Sequence, residues 1–253
     1  MAEVGELITA ARQAWSDRDL WKAKGKLEAA FDLEPQGEWL ARARLLAGVV
    51  ARELGDTHMA LTYLHGLMSG WDMYPDSKPL MEGACLYNLA LVRMQRREPH
   101  EAIRLYEQAE AAFRAQGMDD YLRQALQNRA WALCGLGDAE GAREALAEAE
   151  PVAKSQEAKW QQEVGWAYLA LVDGDLDSVL ELGRSIPPEA PALIQAQVSW
   201  LAGRAFFRMG DLVAAERFAD LAIQWGQESK DTRRINDGTE LLRECRQQRT
   251  QGA

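Results

Sequence analysis

The chain has 253 residues, enough for one large domain or two small ones, and its 47% hydrophobic share excludes a disordered protein. A net charge of −10 argues against a nucleic-acid-binding protein, and three scattered cysteines (Cys85, Cys134 and Cys245) argue against a disulfide framework or a zinc site. The chain start does not resemble a signal peptide, and no apolar run approaches the roughly 18 residues of a membrane span. We therefore expect a cytoplasmic protein without membrane contact, metal or cofactor.

A short pattern recurs along a sequence whose abundant Ala, Leu, Glu, Arg and Gln predict an all-α fold. Each copy has a turn, an acidic residue and, four positions after the acid, a small residue. These residues are Ala23, Ala60, Ala102, Ala142, Val179 and Ala215. A second small residue lies twelve positions before each of them, at Ala11, Gly48, Ala90, Ala130, Ala167 and Gly203. Paired small residues allow two helices to approach closely, so the pattern predicts six helical hairpins.

The turn between the helices holds a Gly-Asp pair in four of the copies, of which Gly55-Asp56 is the first. Glycine ends a helix because it adopts a left-handed conformation at little cost. The following Asp caps the next helix by accepting hydrogen bonds from its free amides. One hairpin cannot bury its apolar face alone, so neighbouring hairpins are expected to stack into a solenoid.

In chain order the predicted hairpins span residues 4–34, 38–69, 80–116, 120–154, 157–187 and 191–228. The segment 70–79 has two prolines and two aromatic residues and predicts an ordered loop packed on the solenoid. Residues 231–248 predict a polar capping helix, which the end of a solenoid needs for solubility. We expect residues 1–253 to form a single domain.

These residues resemble tetratricopeptide repeats, whose usual unit is 34 residues long. The resemblance covers residues 4 to about 228, although the units here are longer and the closing proline of the family pattern is clear only at Pro35. It implies a right-handed superhelical solenoid of about six repeats, with the first helix of each repeat facing a concave groove. It implies a protein-binding function without naming the partner.

Two asparagines, Asn88 and Asn128, stand at the same position in consecutive repeats. An Asn amide can donate to and accept from the backbone of an extended peptide. Peptide-binding tetratricopeptide domains, including the pheromone sensors of Gram-positive bacteria and the clamps for chaperone tails, commonly have Asn there. The alternative is that each Asn bonds a carbonyl of a neighbouring repeat.

No acidic residue occurs among the 24 positions that the helical period places toward the groove, which favours a neutral or anionic ligand. Arg12, Arg52 and Arg204 could bind a ligand carboxylate, or pair with acids at the rim such as Asp17 or Glu53. Four aromatic residues are further candidates for peptide contact or for core packing: Tyr87, Trp131, Tyr168 and Trp200. Trp21, Trp39, Trp160 and Trp225 fall elsewhere and are interpreted as packing between repeats.

The sequence contains no phosphate-binding loop, HExxH, CxxC or GxSxG motif, so we do not expect an enzyme. The primary hypothesis is a scaffold that holds a peptide or partner segment in its groove, and the arginines there favour a segment with an anionic terminus. One alternative is a peptide-responsive sensor of the pheromone-receptor type that lacks its effector domain. A third class is a regulatory subunit or a phosphatase-like enzyme. The oligomeric state does not follow from the sequence.

Overall fold

A computed structural model describes residues 2–251, which form thirteen α-helices and three short 3₁₀ turns. This confirms the predicted all-α class and its helix-turn-helix repeats. Five hairpins pair α1 (Ala2–Ser16) with α2 (Leu20–Asp32), α3 (Gly37–Glu53) with α4 (Thr57–Met68), α5 (Lys78–Gln95) with α6 (Pro99–Gln116), α9 (Gln156–Asp173) with α10 (Leu176–Ser185), and α11 (Ala192–Met209) with α12 (Leu212–Glu228). In the fourth repeat, α7 (Asp119–Gly135) is followed by a turn and by α8 (Ala139–Ala149). The last helix is α13 (Thr232–Gln251).

The four Gly-Asp turns have the predicted geometry. Each glycine has a positive φ, with values of 83° at Gly55, 79° at Gly137, 85° at Gly174 and 82° at Gly210. The Asp that follows each glycine accepts a hydrogen bond from the backbone amide three residues later. Two looser copies put Arg18 and Arg97 at positive φ in place of glycine. The recurring turn therefore ends one helix and caps the next, as the sequence predicts.

The paired small positions are buried where the helices of a hairpin meet. Ala11, Ala23, Ala60 and Ala102 are fully buried, and the other members of the two rows are also buried. A Cβ atom on Gly48 would lie 2.6 Å from Cγ of Leu64, and one on Gly203 would lie 2.8 Å from Cδ2 of Leu241. No side chain fits these two positions without a shift of its neighbour, so the small residues are a packing requirement.

The chain divides into two compact units, with the boundary between Ala132 and Leu133 in the last turn of α7. Unit 1 holds hairpins one to three and most of α7. Its core includes a cluster of Leu64, Leu67 and Leu89. Unit 2 holds the remaining helices. The single domain proposed for residues 1–253 stays a prediction.

Two 3₁₀ turns, Trp71–Met73 and Pro75–Ser77, form the connection between hairpins two and three. Tyr74 lies between them with its side chain buried, and its hydroxyl donates a hydrogen bond to the Leu67 carbonyl at 2.9 Å. Arg44 donates to the Gly66 carbonyl at 2.6 Å and fixes the same corner. The prediction of an ordered, packed loop is therefore confirmed.

Helix α13 caps unit 2 by burying Leu241 and Cys245 against Ala215 and Ala219 of α12. This confirms the predicted capping helix. The prediction for Trp21 is wrong, because its side chain is 71% exposed at the start of α2 and does not pack between repeats. Its helix buries the opposite side, through Ala23, Leu27 and Ala30, so the residue two positions before Ala23 faces solvent.

Candidate functional site

Asn88 of α5 and Asn128 of α7 lie on the first helices of repeats three and four, both within unit 1. The Nδ2 atom of Asn88 donates to the carbonyl of Ala84 at 2.8 Å, one turn earlier in its own helix. The Nδ2 atom of Asn128 donates in the same way to the carbonyl of Gln124 at 2.8 Å. The two side chains therefore have the same local geometry, as their equivalent positions predict.

Tyr87 connects the two asparagine-bearing helices. Its hydroxyl oxygen accepts a hydrogen bond of 3.0 Å from Nδ2 of Asn128. Its ring lies against the second helix of its own hairpin, with its centroid 5.9 Å from that of Tyr106. We call Tyr87, Asn88 and Asn128 the asparagine surface.

The bonds within the asparagine surface determine what it offers to a ligand. Both Nδ2 hydrogens of Asn128 have partners inside the protein, at Gln124 and Tyr87. Among the described residues neither Oδ1 atom has a hydrogen-bond partner. Asn88 is buried, with an exposed fraction of 8%, and Asn128 is half-buried. Their acceptor oxygens are held in place by internal bonds, and Asn128 has no donor left for a ligand. The sequence predicts that each Asn both donates to and accepts from a ligand. Asn128 can only accept.

The arginine candidates of unit 1 differ in their surroundings. Arg12 of α1 is exposed and has no ion pair among the described residues. Arg52 of α3 pairs with Glu53 at 3.1 Å, which is one of the rim acids named from the sequence. Trp131, the aromatic candidate of α7, is half-buried.

Two buried donors stand at matching positions of repeats one and two, both among the positions that the helical period places toward the groove. Trp15 lies four residues after Ala11, and Arg52 lies four residues after Gly48. The Nε1 atom of Trp15 and the Nε atom of Arg52 are buried and have no hydrogen-bond partner among the described residues. A buried N–H without a partner is unfavourable, but a ligand could reach these two atoms only after their side chains move.

The candidates of unit 2 are close to one another. The ring of Tyr168 on α9 stacks on that of Trp200 on α11, with centroids 6.0 Å apart and an interplanar angle of 23°. Burial raises the pKa of the Tyr168 hydroxyl above its usual range, so this group is neutral at physiological pH. Arg204, one turn beyond Trp200, lies over the ring of Phe207 at 5.6 Å.

Helix α13 lies outside the six repeats and brings charged side chains next to these residues. Glu244 accepts a hydrogen bond of 2.5 Å from Arg204. Asp237 and Arg234 form an ion pair of 2.9 Å, and both interact electrostatically with Tyr168. Burial raises the pKa of Asp237, against the opposing effect of Arg234. The sequence predicts a groove lining without acidic residues. This does not hold in unit 2, because the capping helix contributes two carboxylates.

In residues 2–251 no group of three or more His, Cys, Asp or Glu side chains could hold a metal ion. Burial raises the pKa of Cys85 to about 12 and that of Cys134 to about 11, which keeps both thiols protonated. None of the helices described here combines the length and the apolar character needed to cross a membrane.

Comparisons with known proteins agree with the hairpin architecture. Residues 84–155, which carry both asparagines of the asparagine surface, match the family model for the tetratricopeptide repeat. No curated protein matches the sequence. Among solved structures the apo form of RapI is similar, with a TM-score of 0.69, 12% identity and coverage of 98% of this chain and 99% of RapI.

Two further structures show the same fold. A tetratricopeptide repeat protein from Parabacteroides merdae has a TM-score of 0.60 at 18% identity, covering 97% of this chain and 99% of its own. PilF of Pseudomonas aeruginosa has a TM-score of 0.58 at 12% identity, covering 94% of this chain and 97% of its own. Residues 84–155 are therefore tetratricopeptide repeats, and the chain has the fold of the tetratricopeptide-repeat family.

Proposed function

We propose that this protein is a cytoplasmic, non-enzymatic interaction module that binds an extended peptide or a partner segment along the first helices of its repeats. The observation that carries the proposal is the asparagine surface. Asn88 and Asn128 hold equivalent positions, anchor their Nδ2 atoms within the protein and keep both Oδ1 atoms for a ligand. Acceptors one repeat apart suit the backbone N–H groups of a peptide and are independent of its side chains.

The remaining candidates fit the side chains and the terminus of such a ligand. In unit 1, Tyr87 and Trp131 provide aromatic area next to the asparagines. Arg12, which is exposed, favours an anionic group such as a terminal carboxylate, and Arg52 would have to exchange Glu53 for it. Unit 2 has aromatic candidates of its own in the stacked rings of Tyr168 and Trp200. Arg204 would have to exchange Glu244 for a ligand carboxylate, so we expect it to contribute less than Arg12.

The test is binding of fluorescein-labelled extended peptides, measured by fluorescence anisotropy. We expect Asn88→Ala combined with Asn128→Ala to weaken by about tenfold or more each peptide that binds at the asparagine surface, since two hydrogen bonds of about 1 kcal/mol each are lost. The melting temperature should stay within a few degrees, because alanine is a strong helix former. Unchanged affinity in the double variant would refute the role of the asparagine surface.

Asn236 provides a matched control, since it is the one other asparagine of the chain and lies exposed on α13. Asn236→Ala should leave binding unchanged. A loss of binding together with a collapse of the melting temperature in the double variant would assign Asn88 and Asn128 to packing between repeats, which is the alternative interpretation.

The anionic-terminus part of the proposal is tested with the same peptides carrying an amidated carboxyl terminus. Amidation should weaken binding several-fold, and Arg12→Gln should remove most of the difference between the free and the amidated peptide. If the free and the amidated peptide bind with equal affinity, the proposed contact with the terminal carboxylate is refuted and only the proposed backbone contact remains.

Small-angle scattering distinguishes a scaffold from a sensor. A scaffold keeps its radius of gyration when a peptide binds, and this is the result that we expect. A decrease on binding would favour the peptide-responsive sensor instead.

A further inference from the structure

The exposed large apolar side chains of unit 2 are concentrated at one kind of position. Among the described residues of this unit they are Leu136, Met209 and Val213, with exposed fractions of 39%, 53% and 73%. Leu136 lies in the turn between the two helices of repeat four. Met209 ends α11 and Val213 lies in the first turn of α12, on either side of the turn of repeat six. Repeat packing does not cover these three side chains fully, since 39% to 73% of each is exposed.

Specific contacts place the turns of repeats four, five and six along a common edge. Arg143, in the first turns of α8, pairs with Asp173 in the turn of repeat five at 3.0 Å. Arg208, at the end of α11, donates to the carbonyl of Leu171 at the end of α9. Each turn is therefore tied to the next one. We call this the turn edge of unit 2, and it consists of residues 136–143, 171–177 and 208–213.

The turn edge is strongly acidic. Its acids are Asp138, Glu140, Asp173, Asp175, Asp177 and Asp211, and its two bases are Arg143 and Arg208. Arg143 is occupied by Asp173 and Arg208 by a backbone carbonyl. The hydrogen bonds from Ser178 lower the pKa of Asp175, so that carboxylate stays charged at neutral pH. Exposed apolar side chains occur at the turns of repeats four and six. Three aspartates, Asp173, Asp175 and Asp177, lie in and beside the turn of repeat five.

We propose that the turn edge of unit 2 is a second interaction surface, separate from the asparagine surface, that binds a partner-protein segment with basic residues between two apolar residues. The turn edge is complementary to such a segment in both its apolar and its charged residues. The apolar side chains of the partner would cover Leu136 at one end and Met209 with Val213 at the other. Its lysines or arginines would lie against Asp175 and Asp177, since Asp173 is paired with Arg143, and charge attraction there accelerates association and selects against acidic partners.

The experiment uses the full chain and a short fluorescein-labelled peptide with a central Lys-Arg-Lys triplet between two leucines. We expect saturable binding that weakens as salt concentration rises. Two comparison peptides, one with a Glu triplet and one with serines in place of both leucines, should bind at least about tenfold more weakly. Equal binding of all three peptides, or no binding of the first, would overturn the proposal.

The variants follow from the same contacts. Met209→Gln combined with Val213→Ser should lower the affinity about tenfold or more without changing the melting temperature, because both residues are exposed. Asp177→Asn should lower it several-fold and reduce its dependence on salt. A further control is Asn88→Ala with Asn128→Ala, which should leave binding of this peptide unchanged. Loss of binding in that control would assign the peptide to the asparagine surface and overturn the proposal.

Trp21 supplies a matched control for the apolar variant. It lies two residues before the small position Ala23, as Val213 lies two residues before Ala215, and its exposed fraction of 71% is close to that of Val213. Trp21→Ser should therefore leave binding unchanged. An equal loss in both variants would mean general hydrophobic adsorption. Concentration-dependent self-association that Met209→Gln with Val213→Ser abolishes would make a second copy of this chain the occupant and contradict the partner proposed.

Discussion

The Nδ2 atom of Asn128 donates a hydrogen bond of 3.0 Å to the hydroxyl oxygen of Tyr87, which precedes it by 41 positions and belongs to the previous repeat. This bond links the first helices of repeats three and four at the point where both asparagines lie. It also fixes which atom of Asn128 remains for a ligand. Repeat packing and the proposed peptide contact therefore share one side chain.

Tyr87→Phe tests this link. The variant keeps the ring and its contacts with Tyr106 and Phe113 but removes the acceptor of the Asn128 bond. We expect a loss of about 0.5–1.5 kcal/mol in the free energy of unfolding, measured by urea denaturation. Peptide affinity should fall only a few-fold, because both Oδ1 atoms remain. A loss as large as that of the double asparagine variant would mean that Tyr87 itself contacts the peptide.

Gly48→Ala tests the close approach of α3 and α4. The added Cβ would lie 2.6 Å from Cγ of Leu64, so we expect a loss of about 1–3 kcal/mol in the free energy of unfolding. Gly25→Ala is the control, because a Cβ there meets no atom within 4 Å. In this exposed helix interior alanine should stabilise the protein by up to about 1 kcal/mol. Changes of the same sign in both variants would contradict the packing argument.

Arg97→Gly tests the recurring turn. Arg97 is exposed and has a φ of 61°, in the conformation that four other repeats assign to glycine. Replacement by glycine should raise the free energy of unfolding by about 1 kcal/mol, since the left-handed conformation is unfavourable for a residue with a Cβ. Gly137→Ala, at the corresponding position of repeat four, should lower it by a similar amount. Thermal unfolding of the two variants should shift in opposite directions.

The cysteines should resist modification at neutral pH. Burial raises the pKa of Cys85 to about 12 and that of Cys134 to about 11, and the thiolate is the reactive form. The fraction of thiolate therefore increases only as the pH rises toward these values. Alkylation of the native protein by iodoacetamide, followed by mass spectrometry, should be slow at neutral pH and fast after unfolding. Rapid alkylation of Cys134 in the native protein would contradict its burial.

The sequence predicts the hairpins well because their determinants are local. A left-handed glycine, an Asp cap and two small residues lie within a few turns of one another, so each hairpin can be identified without its neighbours. The environment of the site residues depends on more distant parts of the chain. Glu244 reaches Arg204 from the capping helix, 40 positions away. The sequence also does not show whether an Asn side chain bonds to its own helix, as Asn88 does with Ala84.

The exposure of Trp21 shows a second limit of prediction from residue type. An indole contributes a large apolar area, which favours a packing role for Trp21 when only its residue type is considered. Its position on α2 decides the outcome, because Ala23, Leu27 and Ala30 define the buried side and Trp21 lies opposite. Which side of α2 is buried depends on how that helix is rotated against its neighbours.

The central claim, that Asn88 and Asn128 contact the backbone of a bound peptide, is tested most directly by NMR on protein with isotope-labelled asparagine. The chain has three asparagines, so the spectrum contains three side-chain amide pairs, which single substitutions assign. When a binding peptide is added, we expect the pairs of Asn88 and Asn128 to shift and that of Asn236 to remain in place. Saturable binding that leaves the Asn88 and Asn128 pairs unmoved would contradict the claim.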